Sequence, residues 1–157
     1  MLVVPAAASA ETIDRVLAVV VGQIITLSDV TAARDLGLET PGGAADSVGA
    51  LLSKLIDREL VLTEVERYAP PEPAADAIDR EVENVRSRFA SPQAFEAVLA
   101  RSGLDGQRLR ETLRQNLRIR AYETQRFAAA DPARRQALID EWVAGLRRRA
   151  DVMVVSR

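Results

Sequence analysis

The chain has 157 residues, 48% apolar but only 4% aromatic, and it carries neither cysteine nor histidine. Disulfides, thiolate nucleophiles, Cys/His zinc sites and an imidazole general base are thereby excluded. A net charge of -2 argues against a general binder of phosphate backbones, which normally carries a basic excess, so no nucleic-acid partner is expected.

Residues 1–10 read as the end of a secretory signal: Ala8-Ser9-Ala10 is a small-x-small cleavage pattern followed by the charged Glu11. The basic and most of the apolar part of such a signal are not in the chain, and the alternative is an alanine-rich tail. No segment reaches the ~20 apolar residues of a membrane span. Residues 11–157 are expected to form one domain.

Arg15 to Val21 is mostly apolar, as in a strand covered on both faces. Gly22-Gln23 is expected as a tight turn, with Ile24 to Leu27 returning as a second strand. Ser28 is expected to cap a short helix ending near Gly37. Asp46 or Ser47 opens a helix whose apolar stripe includes Leu51, Leu55, Ile56, Leu62 and Val65. Ala69-Pro70-Pro71-Glu72-Pro73 stops it. A helix follows from about Ala74. Ser91-Pro92 starts another, which ends at Ser102-Gly103. Leu104-Asp105 starts a long helix to about Phe127. Asp131-Pro132 opens the last helix, with Trp142 on it and Arg147-Arg148-Arg149 in its final turn, where cations are favoured.

Asp151 to Val155 is a second β-branched run, at the far end of the chain. Two short strands so distant in sequence gain stability only by pairing with each other or with a partner chain. Val152 to Val155 is therefore expected beside Val16 to Val21, with Trp142 packed nearby. The fold expected is mostly α, about six helices, with a small antiparallel β element joining the N- and C-terminal segments. Residues 46–127 would form a helical lobe and 131–155 a closing helix and strand.

In three blocks the chain resembles the N-terminal chaperone domain of the SurA, PrsA and PpiD foldases. The first is Ile13 to Val20 followed by Ile24 to Val30. The second is Leu55-Ile56-Asp57-Arg58-Glu59-Leu60. The third runs from Phe89 through Phe95 to Leu113 and Arg118. The resemblance implies a periplasmic, ATP-independent chaperone that binds unfolded outer-membrane protein segments. Relatives often carry a parvulin prolyl isomerase insert before the closing helix. Here only the step from Phe127 to Asp131 separates the two helices, and the histidines of a parvulin site are missing, so isomerase activity is not implied. No enzyme activity and no cofactor are expected, since there is no phosphate loop or metal constellation.

A chaperone surface leaves apolar side chains exposed around a groove. The candidates for contact with an extended polypeptide client are Phe89, Phe95, Leu99, Leu104, Tyr122 and Phe127, which also suit packing of helix against helix. Asp79 with Glu83, and Asp140 with Glu141, lack a third ligand and read as solvated helix surface. So does the run Arg108, Arg110, Arg114, Arg118, Arg120, interrupted by Glu111. Two rival readings use the same fold: an assembly protein holding one folded partner, and a homodimer that swaps its terminal elements.

Overall fold

A computed structural model describes residues 14–155; the expected signal remnant at 1–10 lies outside them. The elements in chain order are β1 (Val16–Val20), β2 (Gln23–Thr26), α1 (Leu27–Asp35), α2 (Ser47–Tyr68), α3 (Ala75–Arg86), α4 (Pro92–Arg101), α5 (Gly106–Arg126), α6 (Pro132–Arg149) and β3 (Val152–Val154). The chain is mostly helical, with one small three-stranded sheet in the order β2-β1-β3.

Both strand pairs are antiparallel. The ends of the chain meet as expected: Val20 lies opposite Val152 and Ala18 opposite Val154. The ladder continues through Val21 N–H to the Asp151 carbonyl at 3.0 Å and Val155 N–H to the Leu17 carbonyl at 2.9 Å. Along β2, Val16 pairs with Thr26 but Ala18 with Ile25, so β1 advances two residues where β2 advances one. This β-bulge lets Leu17 and Ala18 both face the core, at 5% and 0% exposure, where a regular strand would alternate.

The sheet is covered on one face only, against the expectation that β1 is buried on both. Val19 pairs with Ile24 on one side and Met153 on the other, which puts the three on the same outer face. Ile24 is 59% and Met153 62% exposed. Helix α2 packs on the inner face, against Ala18, Val20 and Ile25, and among the described residues no helix covers the outer one.

Two local expectations shift. The hairpin loop is Val21-Gly22, one residue earlier than Gly22-Gln23, and both loop residues have positive φ, 49° and 81°. That is the pattern of a type I′ turn, whose twist suits a two-residue hairpin. The cap of α1 is Thr26, not Ser28: its hydroxyl accepts from Asp29 N–H while the Asp29 carboxylate accepts from Thr26 N–H at 2.8 Å. This reciprocal pair satisfies two otherwise unpaired donors, which Ser28 inside the helix cannot do. The caps at Asp46, Ser91, Asp105 and Asp131 fall where expected.

The apolar side chains form two clusters. One joins β1 and Ile25 to α2, Tyr122 of α5 and Leu146 of α6, with Trp142 packed against it. The other joins Leu36 to Val85, Phe95, Leu99, Leu109 and Leu113. Helix α2 thus packs on the sheet as well as on α5 of the lobe expected at residues 46–127. Helix α5 runs through both clusters, with Leu109 and Leu113 in one and Tyr122 in the other. Polar ties reinforce the joints. Arg147 of α6 donates to Asp57 at 2.9 Å and to the Ser53 carbonyl at 2.8 Å, both on α2. Of the α5 arginines read as a solvated face, Arg108 is exposed as expected, and the other four are tied to neighbouring segments. Arg110 pairs with Asp79 and Arg120 with Glu81, both on α3. Arg114 pairs with Glu72 of the proline-rich connection. Arg118 is 8% exposed, its Nε 3.4 Å from Glu72 but without hydrogen-bond geometry.

Candidate functional site: a cleft along the open edge of the sheet

Among the described residues strand β2 has one neighbour, β1, and no strand pairs with its outer edge, where Thr26 N–H is held by Asp29. Along that edge runs a cleft of about 560 Å³, bordered by β2, one face of α2, Asp29, Ala32 and Ala33 of α1 and the first half of α5. A volume of this size lies within the usual range for binding clefts. On α2 the lining residues Leu55, Arg58, Glu59, Leu62, Thr63 and Glu66 recur every three or four positions, so they form one stripe. Leu38 and Leu104 add apolar surface from two connecting segments, and Gln23, Ile24 and Ile25 line the strand side.

Arg58 is fixed within this cleft. Its Nε donates to Asn116 Oδ1 at 2.9 Å, Nη2 to Gln115 Oε1 at 2.8 Å and Nη1 to Glu59 Oε1 at 2.7 Å. Its side chain is only 14% exposed, and its charge is matched by Glu59. The α2 and α5 walls are thereby held at a set spacing. At the α5 wall, a hydrogen bond from Arg114 holds the Glu111 carboxyl below its ordinary value.

Val21 stands at the strand end of the cleft, 47% exposed, with φ 49°. A β-branched residue is poorly suited to this left-handed conformation, where asparagine or glycine costs less. An apolar side chain presented to solvent at a strained turn is a local choice that stability does not favour.

Of the six residues expected to contact a client, only Leu104 lines this cleft. Phe95 and Leu99, at 2% and 6% exposure, fill the second apolar cluster, with half-buried Phe89 set edge-on to Phe95. Tyr122, 7% exposed, belongs to the first cluster, stacked on Tyr68 and close to Trp142. Phe127 is half-buried against Trp142, and the Arg126 guanidinium lies 5.0 Å from the Trp142 ring centre. A chain so poor in aromatics uses its large rings to fill its cores, which leaves Phe95, Leu99 and Tyr122 no surface to offer in this conformation. The exposed apolar side chains are instead Val21, Ile24, Met153, Val154 and Val155 on the sheet, with Tyr68 and Val48 elsewhere. Ile24 and Met153 are exposed because they share the uncovered outer face of the sheet with Val19, which the apolar run alone does not reveal.

A second cavity of about 500 Å³ opens between α2, α3 and α5, and its charged lining includes Asp57, Glu81, Arg88, Arg120 and Glu123. Burial raises the Glu123 carboxyl above its ordinary value. Burial also raises Asp57, and the adjacent Arg147 only partly offsets it. Among the described residues, no group of three or more His, Cys, Asp or Glu side chains is placed to hold a metal ion. No helix there is long and apolar enough to cross a membrane. Comparison with known proteins gives no matching family model and no matching curated protein.

Proposed function

We propose that this protein is a non-enzymatic, ATP-independent chaperone that holds extended apolar segments of unfolded proteins in the cleft along β2. The observation that carries the proposal is the unpaired edge of β2 facing, across a cleft, a stripe of α2 in which Leu55 and Leu62 stand among Arg58, Glu59, Thr63 and Glu66. An extended chain laid there gains main-chain hydrogen bonds from the edge and side-chain burial from the helix, the two components of strand addition. Exposed Val21 and Ile24 at the rim add apolar contact. Each is roughly half exposed, so covering it contributes on the order of 1 kcal/mol. Gains of that size hold a client briefly and release it without nucleotide. The resemblance to the chaperone domain of SurA-type foldases supports the same reading. On this reading the protein works in the periplasm, to which Ala8-Ser9-Ala10 lends support, with outer-membrane protein segments as clients and no prolyl isomerase activity.

The test is suppression of aggregation of several unrelated unfolded proteins at near-stoichiometric ratios. Suppression that weakens in Ile24→Glu supports the proposal; binding of one folded partner alone sinks it. A second reading has its own observation: β3 is also an open edge and carries exposed Met153 and Val154, which suits pairing with a second copy. Light scattering decides it, since self-association gives twice the monomer mass.

A further inference from the structure

The charges of the cleft add a specificity to the holding function proposed above, on which this inference rests. Five carboxylates line the cleft, Asp29, Glu39, Glu59, Glu66 and Glu111, against two cations, Arg58 and Arg108. Arg58 is taken up by Glu59 at 2.7 Å and Glu111 by Arg114 at 2.8 Å. Asp29 is occupied in the α1 cap. Glu39 meets Lys54 only at 3.9 Å, and Glu66 is an exposed residue one turn beyond Leu62.

These last two stand at opposite ends of the α2 stripe. Glu39 lies beside Lys54, next to Leu55, and Glu66 lies beyond Leu62. From Lys54 to Glu66 is twelve residues of helix, about 18 Å at the usual rise. An extended chain covers that length in about five residues. We infer that the cleft takes an extended segment whose apolar residues are flanked, about five positions apart, by lysine or arginine. The flanking cations meet Glu39 and Glu66, the apolar residues between them lie along partly buried Leu55, and the backbone pairs with β2.

The test is fluorescence anisotropy of the full chain with two labelled hexapeptides, Lys-Leu-Ser-Val-Ser-Lys and Glu-Leu-Ser-Val-Ser-Glu. The lysine peptide is expected to bind about tenfold tighter at low salt, the size that two exposed ion pairs give when reversed to repulsion. The difference is expected to shrink in 0.5 M salt, roughly, as exposed charges are screened. In the surface double variant Glu39→Gln/Glu66→Gln the two peptides are expected to bind alike. Equal binding to the unaltered chain, or preference for the glutamate peptide, overturns the inference. So does failure of both peptides to bind. The aggregation assay separates the two levels: suppression kept without a charge preference leaves the holding function standing, and suppression absent removes both.

Discussion

Arg58 of α2 donates its Nε to Asn116 Oδ1 of α5 at 2.9 Å, across 58 positions of sequence. With its bonds to Gln115 and Glu59, this side chain sets how far the two helical walls of the cleft stand apart. Removing it strands three polar groups in a half-buried setting. Arg58→Ala is expected to cost about 2 kcal/mol of stability. Urea denaturation followed by the fluorescence of Trp142, the only tryptophan, checks this.

The hairpin turn gives a test in which stability and binding move in opposite directions. Val21→Asn creates an Asn-Gly loop where both residues have positive φ. The change is expected to stabilise the fold by about 1 kcal/mol, because asparagine tolerates the left-handed conformation that valine resists. Suppression of client aggregation is expected to fall, because an exposed apolar side chain leaves the cleft rim. A variant that is more stable and equally active would remove Val21 from the site.

Core and site separate in a second pair of variants. Phe95→Ala, at a position 2% exposed, is expected to cost about 3–5 kcal/mol through the cavity it leaves. Ile24→Ser, at a position 59% exposed, is expected to change stability by less than about 0.5 kcal/mol. Client holding by Ile24→Ser is nonetheless expected to drop. Thermal unfolding and aggregation suppression, measured on both, distinguish the two roles.

Stability is expected to carry a pH signature from the second cavity. Burial raises Glu123 above its ordinary value of 4.5, so the folded state holds the proton more tightly than the unfolded chain. The stabilisation from that proton is complete below 4.5 and is lost as pH rises through the folded-state value. Glu123→Gln removes the charge that burial opposes. Its melting temperature is expected to exceed that of the unaltered chain at pH 7, roughly neutral conditions, with the gap narrowing toward the acid side. A gap independent of pH would show that the carboxyl does not titrate differently on folding.

The helices and the closure of the chain were legible because their signals are local: Asp46, Ser91, Asp105 and Asp131 cap where expected, and Val152 finds Val20. The turn was displaced because Gly22 can occupy either loop position of a hairpin, and only the pairing of Val20 with Gln23 fixes which. Leu17 and Ala18 look like a strand buried on both faces because a bulge, invisible in composition, turns both inward. The cleft was mostly not legible. Its walls come from segments as distant as Ile24, Leu62 and Gln115, and the leucines that line it look like any amphipathic stripe. The aromatic rings, which suggested a client surface, are drawn into the cores because burial of a large apolar side chain contributes most there.

An extended client is expected to add to the unpaired edge of β2. Backbone hydrogen exchange of the full chain, with and without the lysine hexapeptide, tests it directly. Slower exchange within residues 23–25 of β2, with Thr26 unchanged because Asp29 already holds its N–H, is the expected result. Unchanged exchange along β2 while the peptide is bound, or protection appearing at Val152–Val154 instead, would contradict it.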